Sequence, residues 1–248
     1  MLKNMSNENM KNYIGIILAA GRGNRMKEIT ENIPKALVEV NKRPLLDYMI
    51  EFVKEIGIND IIVVGGYHFE QVKKKVGEID GNVKVIFDKD FGIHNLISFD
   101  KALRLIENKN ILVCNADYIF KDTTAKAVAE NLGDIAVYCS YDLSGDDEDV
   151  MKVKVDGDGN LVEMSKKPTD FEAIYTGIWF FAEKYIPELK RVAAEILADK
   201  GREASVEMLF PAFMEKGCKI KVIDIGKADW FEFDTPEELE KARQALEK

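Results

Sequence analysis

The chain has 248 residues and a formal net charge of −9, from 44 acidic and 35 basic side chains. This length is enough for one or two domains with a sizeable hydrophobic core. The acidic balance argues against a broad nucleic-acid surface, because contact with a phosphate backbone needs clustered Lys and Arg.

The cysteines and the hydropathy pattern indicate the compartment. Cys114, Cys139 and Cys218 lie in or beside apolar runs and lack the spacing of a metal site. We therefore expect reduced thiols in a cytoplasmic protein, because disulfides persist mainly in oxidising compartments. No apolar run reaches about 18 residues, so we expect no membrane partner. Residues 1–12 are polar and are expected to be loose, with Met10 as an alternative start.

The first half of the chain alternates short apolar runs with amphipathic segments. Residues 14–18 form a β-branched run typical of a buried strand, and further strands are predicted over 36–40, 60–65, 83–87 and 111–114. Helical periodicity occurs over 45–57, 69–76, 96–106 and about 124–132. This alternation predicts right-handed crossovers and an α/β fold with a doubly wound, mostly parallel, Rossmann-like sheet.

The regular alternation of predicted strands and helices ends after residue 134. Residues 150–155 and 161–164 flank the sequence DGDGN, a hairpin signal that predicts a small antiparallel flap. A strand over 174–182, helices over about 184–198 and 205–216, and a strand over 219–225 follow. A last helix is predicted from Pro236, with Thr235 and Glu238 as a capping box. We predict a single domain over 13–248 with two halves, 13–142 and 143–248.

A glycine-rich loop follows the first predicted strand. Small residues there leave backbone N–H groups open to phosphate oxygens at the sheet edge, namely Ala19, Ala20, Gly21 and Gly23. The dinucleotide pattern G-x-G-x-x-G fails at Met26, and no Gly-Lys-Ser/Thr follows. The loop also carries cations, namely Arg22, Arg25, Lys27 and Lys35. The pattern favours a phosphate site, and a solvated basic loop is the alternative.

Two carboxylates distant in sequence are candidate metal ligands. Asp117 follows the strand predicted over 111–114, and Asp234 precedes the helix cap, which Thr235 already supplies. Mg²⁺ is typically held by one or two carboxylates together with substrate phosphates. The two residues with the cationic loop therefore favour a nucleoside triphosphate as ligand. The alternative for Asp117 is an ordinary turn residue in Asn-Ala-Asp.

The segments LAAGRGNRM, NIPKALVEV, RPLLDYMIEF, NADYIF and WFEFDTPEEL together resemble the sugar-1-phosphate nucleotidyltransferase superfamily over nearly the whole chain. The segment FDKDFGIHNLIS is more similar to bacterial choline-phosphate cytidylyltransferases than to the sugar enzymes, which usually have Q-x-P-x-G-T-A there. The resemblance implies Mg²⁺-dependent transfer of CMP from CTP to phosphocholine or a similar small phosphorylated or phosphonylated compound. Pyrophosphate would leave after in-line attack on the α-phosphorus. The first half of the domain would bind the nucleotide and the second half the acceptor.

The resemblance also assigns roles to residues. Arg25 would contact the β- and γ-phosphates, Lys35 the α-phosphate, and Asp117 and Asp234 the Mg²⁺. The implied nucleotide-binding residues are Leu18, Ala19, Ala20, Gly21, Gly23, Asn95 and Ser98. The implied acceptor-binding residues are Lys167, Tyr175, Trp230 and Glu232. An N-cap role for Asn95 and ordinary core packing for the aromatic residues are alternatives, and Lys166 stands where the sugar enzymes have Glu.

Three other functions stay open at this point. One is a sugar-1-phosphate nucleotidyltransferase that uses UTP or another nucleotide. Another is a non-catalytic nucleotide-binding regulator of the same fold, against which the joint presence of Arg25, Lys35, Asp117 and Asp234 counts. A nicotinamide-dependent oxidoreductase is disfavoured by the missing third glycine. The acidic segment from Gly145 to Asp149 could be a lid or a tolerated insertion.

Overall fold

A computed structural model describes residues 9–91, 94–143, 150–168, 170–226 and 230–246. The strands are β1 (Tyr13–Ala19), β2 (Glu39–Val40), β3 (Arg43–Pro44), β4 (Ile61–Gly65), β5 (Lys84–Phe87), β6 (Asn110–Asn115), β7 (Tyr118–Phe120), β8 (Ile135–Ser140), β9 (Lys152–Val155), β10 (Leu161–Ser165), β11 (Ala173–Phe181), β12 (Lys221–Asp224) and β13 (Trp230–Glu232). The helices are α1 (Leu45–Glu55), α2 (Phe69–Ile79), α3 (Leu96–Leu103), α4 (Asp122–Glu130), α5 (Ile186–Lys200), α6 (Leu209–Glu215) and α7 (Pro236–Leu246).

A nine-stranded mixed sheet forms the centre of the fold. Its main order is β10-β9-β11-β6-β1-β4-β5, and β8 joins β11 to β12. Strands β6, β1, β4 and β5 are parallel, as are β8 and β12. The predicted α/β, doubly wound, mostly parallel sheet is confirmed. Strand β11 runs antiparallel to both β6 and β8, so one sheet extends through both predicted halves, whose boundaries stay a prediction.

Helices cover both faces of this sheet. Successive residues of β1 point to opposite faces, with Ile16 in the cluster that includes α3, α5 and α6, and Ile17 in the cluster that includes α1, α2 and α4. Both residues are fully buried, which accounts for the continuous apolar run in the sequence. A third, smaller cluster joins α7 to the segment after the loop, through Met26, Leu45 and Phe233. No helix of the described residues is long and apolar enough to cross a membrane.

The predicted hairpin is confirmed. Strands β9 and β10 pair antiparallel, and the Asp156 N–H donates to the Asn160 carbonyl at 2.9 Å. The Asp156 carboxylate also accepts from the backbone N–H groups of Asp158 and Asn160. The segment from Gly145 to Asp149 lies outside the described residues.

Three local predictions differ in part from the structure. Of the strand predicted over 36–40, only Glu39–Val40 is a strand (β2), because the Leu37 and Val38 N–H groups bond to the carbonyls of residues 34 and 35 in a 3₁₀ turn, Lys35–Leu37. The helix predicted over about 205–216 is present as a 3₁₀ turn, Val206–Met208, that leads into α6 from Leu209, since Pro211 lacks an N–H and fits only the first turn of an α-helix. Of the segment predicted to be loose over 1–12, residues 1–8 lie outside the described residues, and residues 9–12 form a 3₁₀ turn with Met10 buried.

The three cysteines are free thiols. Cys114 and Cys139 are fully buried on β6 and β8, and burial raises the pKa of both. Such thiols are poor nucleophiles, because the thiolate is the reactive form.

Gly177 marks an irregularity in β11 that only glycine fits well. The register with β8 shifts between Tyr175 and Ile178, and Gly177 has φ of +72°, where a Cβ would lie 2.9 Å from the Tyr118 ring. We expect Gly177→Ala to lower the free energy of unfolding by about 1–3 kcal/mol. Urea denaturation measures this.

Gly133→Ala is the matched control for that variant. A Cβ at Gly133 would meet no atom within 4 Å, so we expect a change of no more than about 0.5 kcal/mol. Equal unfolding midpoints for the two variants would contradict the strain assigned to Gly177.

Candidate active site

A cavity of about 420 Å³ opens at the carboxyl ends of β1 and β6. This is the edge at which open α/β sheets bind ligands. Most of the site residues predicted from the sequence line it, namely Leu18, Ala19, Ala20, Gly21, Arg25, Lys35, Asn95, Ser98, Asp117, Glu232 and Asp234. The fold thus brings these residues together, while their individual roles stay predictions.

Lys35 and two carboxylates form a buried ionic network in this cavity. The Lys35 Nζ lies 2.5 Å from Asp117 Oδ2 and 2.5 Å from Asp234 Oδ1. The Arg25 Nη2 lies 2.5 Å from the second Asp234 oxygen. The Lys35 side chain is 10% exposed and that of Arg25 is 50% exposed. Lys35 is therefore a buried cation held in place by two carboxylates, and Arg25 is a half-exposed cation at the surface of the site.

A small second sheet brings the two carboxylates together. Strands β7 and β13 pair antiparallel, with Glu232 opposite Tyr118, and the Phe233 N–H donates to the Asp117 carbonyl at 3.0 Å. The predicted capping box at the start of α7 is confirmed by reciprocal bonds between Thr235 and Glu238. Glu238 also accepts from the Asp234 N–H at 2.7 Å. The backbone on both sides of Asp234 is therefore fixed.

The absence of a side chain at Gly23 allows Lys35 to pack against the loop. Its φ is +73°, and a Cβ there would lie 3.0 Å from the Lys35 Cβ. The Gly23 carbonyl accepts from the Thr30 hydroxyl at 2.7 Å, which folds the loop back on itself. Gly23 does not line the cavity in the described part of the chain. The glycine predicted to open the backbone to phosphate instead allows the lysine to pass close to the loop.

The electrostatics of the site favour a charged Lys35. Burial alone lowers the pKa of Lys35, but Asp117 and Asp234 outweigh it and leave the pKa raised. Burial, together with the negative charges of Asp117 and Asp234, raises the pKa of Glu232. The Tyr118 hydroxyl donates a hydrogen bond to Glu232, so this acidic side chain has a fixed position in the cavity wall.

The donor set fits a hard divalent cation. Asp117 Oδ1 is buried and has no hydrogen-bond partner within the described ranges, which leaves one carboxylate oxygen for a ligand outside the protein. No group of three or more His, Cys, Asp or Glu side chains in those ranges is arranged to hold a metal. Asp117 and Asp234 could therefore supply only part of a coordination shell, as is usual for Mg²⁺ beside substrate phosphates.

Some predicted residues lie outside the cavity walls. Tyr175 is 5% exposed and packs in the core with its ring 6.3 Å from that of Phe210. Trp230 packs against the Tyr118 ring, with 5.9 Å between ring centroids. Lys166 lines the cavity, whereas Lys167 does not. The two lysines follow β10 in a bend, and the sequence alone did not establish which of them faces inward.

Other wall residues were not predicted from the sequence. They are Ala36, Asn115, Ala116, Met151, Lys166, Ser205 and Glu207, together with His94, which the sequence placed only near the site. Ser205 and Glu207 follow α5 by a short turn, and a long-range contact holds them there. The Val206 N–H donates to Asn95 Oδ1 at 3.0 Å, and the Leu96 N–H donates to the Ala204 carbonyl at 3.2 Å. Asn95 stands at the N-cap position of α3, as the alternative predicted, but its side chain makes no capping bond and instead accepts from Val206.

The fold and the site together define a nucleotidyltransferase. Small residues lie at the end of β1, a buried lysine lies between two carboxylates, and further cations line the same cavity. Residues 15–204 match the family model for the MobA-like NTP transferase domain. Because this match spans most of the chain, the protein belongs to the MobA-like NTP transferase family. The resemblance to the nucleotidyltransferase superfamily drawn from the sequence is confirmed.

Two curated relatives extend this comparison. The choline-phosphate cytidylyltransferase of Streptococcus pneumoniae is 45% identical over 111 residues, which cover 43% of this chain and 46% of that protein. The CTP:phosphoglutamine cytidylyltransferase of Campylobacter jejuni is 28% identical over 247 residues, which cover 91% of this chain and 97% of that protein. The chain thus spans under half of the first relative and nearly all of the second.

Two solved structures show the same fold. The inositol-1-phosphate CTP transferase from T. maritima superposes with a TM-score of 0.80 at 23% identity, covering 95% of each chain. The CTP:phosphocholine cytidylyltransferase from Streptococcus pneumoniae superposes with a TM-score of 0.74 at 24% identity, covering 95% of this chain and 99% of that chain. At these identities the likeness establishes the fold alone.

Proposed function

We propose that the protein transfers CMP from CTP to a small phosphorylated or phosphonylated compound, such as phosphocholine, in an Mg²⁺-dependent reaction that releases pyrophosphate. The observation that carries this proposal is the position of Lys35, buried between Asp117 and Asp234 in the cavity at the end of β1. The curated relatives described above are both named cytidylyltransferases, which supports CTP as the nucleotide.

The cationic residues suit the charge that such a transfer develops. Arg25, at the half-exposed rim, would pair with the β- and γ-phosphates, and Lys35 would pair with the α-phosphate. The backbone from Leu18 to Gly21 would approach the phosphates, since small side chains leave its N–H groups accessible. An acceptor phosphate oxygen attacks the α-phosphorus while the bond to the β-phosphate oxygen breaks. Its electron pair leaves with pyrophosphate, so positioning and charge neutralisation supply the catalysis.

Asp117 and Asp234 would hold Mg²⁺. When bound, the metal ion neutralises charge on the phosphate oxygens. Lys35 already pairs with one oxygen of each carboxylate, while Asp117 Oδ1 has no such partner. A nucleotide phosphate entering with the metal ion would offer Lys35 a replacement partner for these carboxylates.

The acceptor would occupy the wall formed by the second half of the chain. Lys166 lines that wall and would bind the acceptor phosphate, the role that the sequence assigned to Lys167. Glu207 and Glu232 line the same cavity and would favour a cationic head group. Tyr118 bonds to Glu232 and packs against the Trp230 ring, and Tyr175 packs in the core. Trp230 and Tyr175 would thus support the acceptor wall indirectly.

A pyrophosphate-release assay tests the proposal. The protein is incubated with Mg²⁺, each of the four common nucleoside triphosphates and one acceptor at a time. The acceptors are phosphocholine, aminoethylphosphonate, inositol 1-phosphate and hexose 1-phosphates, and reactions without acceptor control for hydrolysis. We expect acceptor-dependent release with CTP and a small phosphorylated or phosphonylated compound. Release with UTP and a hexose 1-phosphate would favour the sugar-nucleotide alternative, and no release with any pair would favour a non-catalytic protein.

A further inference from the structure

The start of α3 presents two uncharged polar side chains to the cavity. Asn95 and Ser98 are uncharged polar residues on one face of the first helical turn, three positions apart. Among the charged residues of the site, Glu207 lies beside this α3 wall, next to the Val206 N–H that bonds to Asn95. The others lie on the loop after β1, beside β7 and β13, and after β10. A pair of uncharged side chains that can donate and accept hydrogen bonds suits a nucleobase better than a phosphate group. The nucleobase therefore belongs beside α3.

Asp88 fixes the direction of the Ser98 hydroxyl. Asp88 follows β5 and is fully buried, and its Oδ2 accepts from Ser98 Oγ at 2.6 Å. Its Oδ1 accepts from the Asp90 N–H at 2.9 Å and lies 2.8 Å from Lys101 Nζ. An ionised carboxylate only accepts, and a serine hydroxyl has a single hydrogen. The Ser98 hydrogen is thus committed to Asp88, and a ligand can meet only lone pairs on the Ser98 oxygen.

The Asn95 side chain, in contrast to Ser98, can only donate a hydrogen bond to a ligand. Its Oδ1 accepts from the Val206 N–H, and a backbone N–H cannot accept in return. The Asn95 Nδ2 is therefore the amide group that remains for a ligand, and it is a donor. The α3 wall thus offers an acceptor at Ser98 beside a donor at Asn95.

We propose that Asp88 is a positioning residue that selects the base, because it holds Ser98 as an acceptor for the exocyclic amine of cytosine. Cytosine has this amine donor beside a ring nitrogen acceptor, which matches Ser98 and Asn95 in order. Uracil has an oxygen acceptor beside a ring N–H donor, which reverses both positions. This inference rests on the proposed function, since it takes a pyrimidine nucleotide as the ligand.

Asp88→Asn tests the proposal by reversing one hydrogen bond. Lys101 and the Asp90 N–H are both donors, so the oxygen of the introduced amide stays with them and its nitrogen faces Ser98. Ser98 then accepts from the side chain at position 88 and can donate to the ligand. We expect the ratio of kcat/KM for CTP to that for UTP to fall at least about tenfold, with a gain in UTP use. Calorimetric binding of CTP and UTP should shift in the same direction.

Ser98→Ala tests the same contact without changing Asp88. It removes the acceptor, so we expect the same ratio to fall about tenfold through loss of CTP use alone. In the double variant Asp88→Asn with Ser98→Ala, the gain in UTP use should vanish, because no hydroxyl remains to turn. If Asp88→Asn does not fold, as judged by thermal denaturation, the result for Ser98→Ala decides.

Asp90→Asn is the matched control. Asp90 pairs with the same Lys101 at 2.9 Å but makes no contact with Ser98, and its side chain is 42% exposed. We expect its CTP to UTP ratio to stay within about threefold of the wild type. An unchanged ratio in folded Asp88→Asn and in Ser98→Ala, with a wild type that prefers CTP, would overturn the role of Asp88. A wild type that transfers both nucleotides equally would overturn it while leaving the transferase function intact, whereas a wild type that binds and uses neither would overturn both.

Discussion

Lys35→Ala is expected to lower kcat/KM roughly 10²-fold or more, because it removes the cation placed to neutralise charge on the α-phosphate. The variant also leaves Asp117 and Asp234, which both contact Lys35 at 2.5 Å, without their shared positive partner. We therefore expect Mg²⁺ to raise the thermal unfolding temperature of the variant more than that of the wild type. Steady-state kinetics and thermal denaturation with and without Mg²⁺ measure the two effects.

Lys54→Ala is the control for this variant. Lys54 pairs with Asp80 at 2.6 Å, and its side chain is 33% exposed on α1, outside the cavity walls. We expect its kcat/KM to stay within about threefold of the wild type, because a surface ion pair contributes little. If Lys35→Ala lost stability but kept its rate, Lys35 would be a structural residue and the catalytic interpretation would fail.

Asp117→Asn is expected to abolish turnover, with a loss of about 10³-fold or more, while the protein stays folded. The substitution keeps the shape of the side chain but removes the charge that a divalent cation needs. Asp234 still pairs with Lys35 and Arg25, so the buried lysine keeps a partner. Binding of Mn²⁺, followed by electron paramagnetic resonance, should weaken in parallel with the rate.

Asp60→Asn controls for the removal of one acidic charge. Asp60 precedes β4 at the opposite edge of the sheet, and its side chain is 52% exposed beside Lys109. Rate and Mn²⁺ binding should match the wild type. Near-normal turnover and metal binding in Asp117→Asn would show that the metal assignment is wrong.

The parts of the fold that depend on local chemistry were predictable from the sequence. Strand β1 is a continuous apolar run because both of its faces are covered, and the Thr235 and Glu238 capping box needs only residues three apart. The hairpin of β9 and β10 has its turn chemistry in the DGDGN sequence. In each case, neighbours along the chain determine the conformation, so the sequence contains the signal.

The parts that depend on distant pairing were not predictable. Strands β7 and β13 have three residues each and no periodicity of their own, yet their pairing sets Asp117 beside Asp234. The inward orientation of Lys166 depends on the course of the chain after β10. Glu207 enters the cavity because Asn95 holds the Val206 N–H, a contact between residues 111 positions apart. Only the folded chain shows these contacts.

In the proposed reaction, the α-phosphate of a nucleotide, and not its γ-phosphate, passes to the acceptor. Parallel reactions with CTP labelled at the α- or the γ-phosphate, an acceptor found active in the pyrophosphate assay, and chromatographic separation of the products test this directly. We expect the α-label in the acceptor product and the γ-label in pyrophosphate. The γ-label in the acceptor product, or either label released as free phosphate, would contradict it.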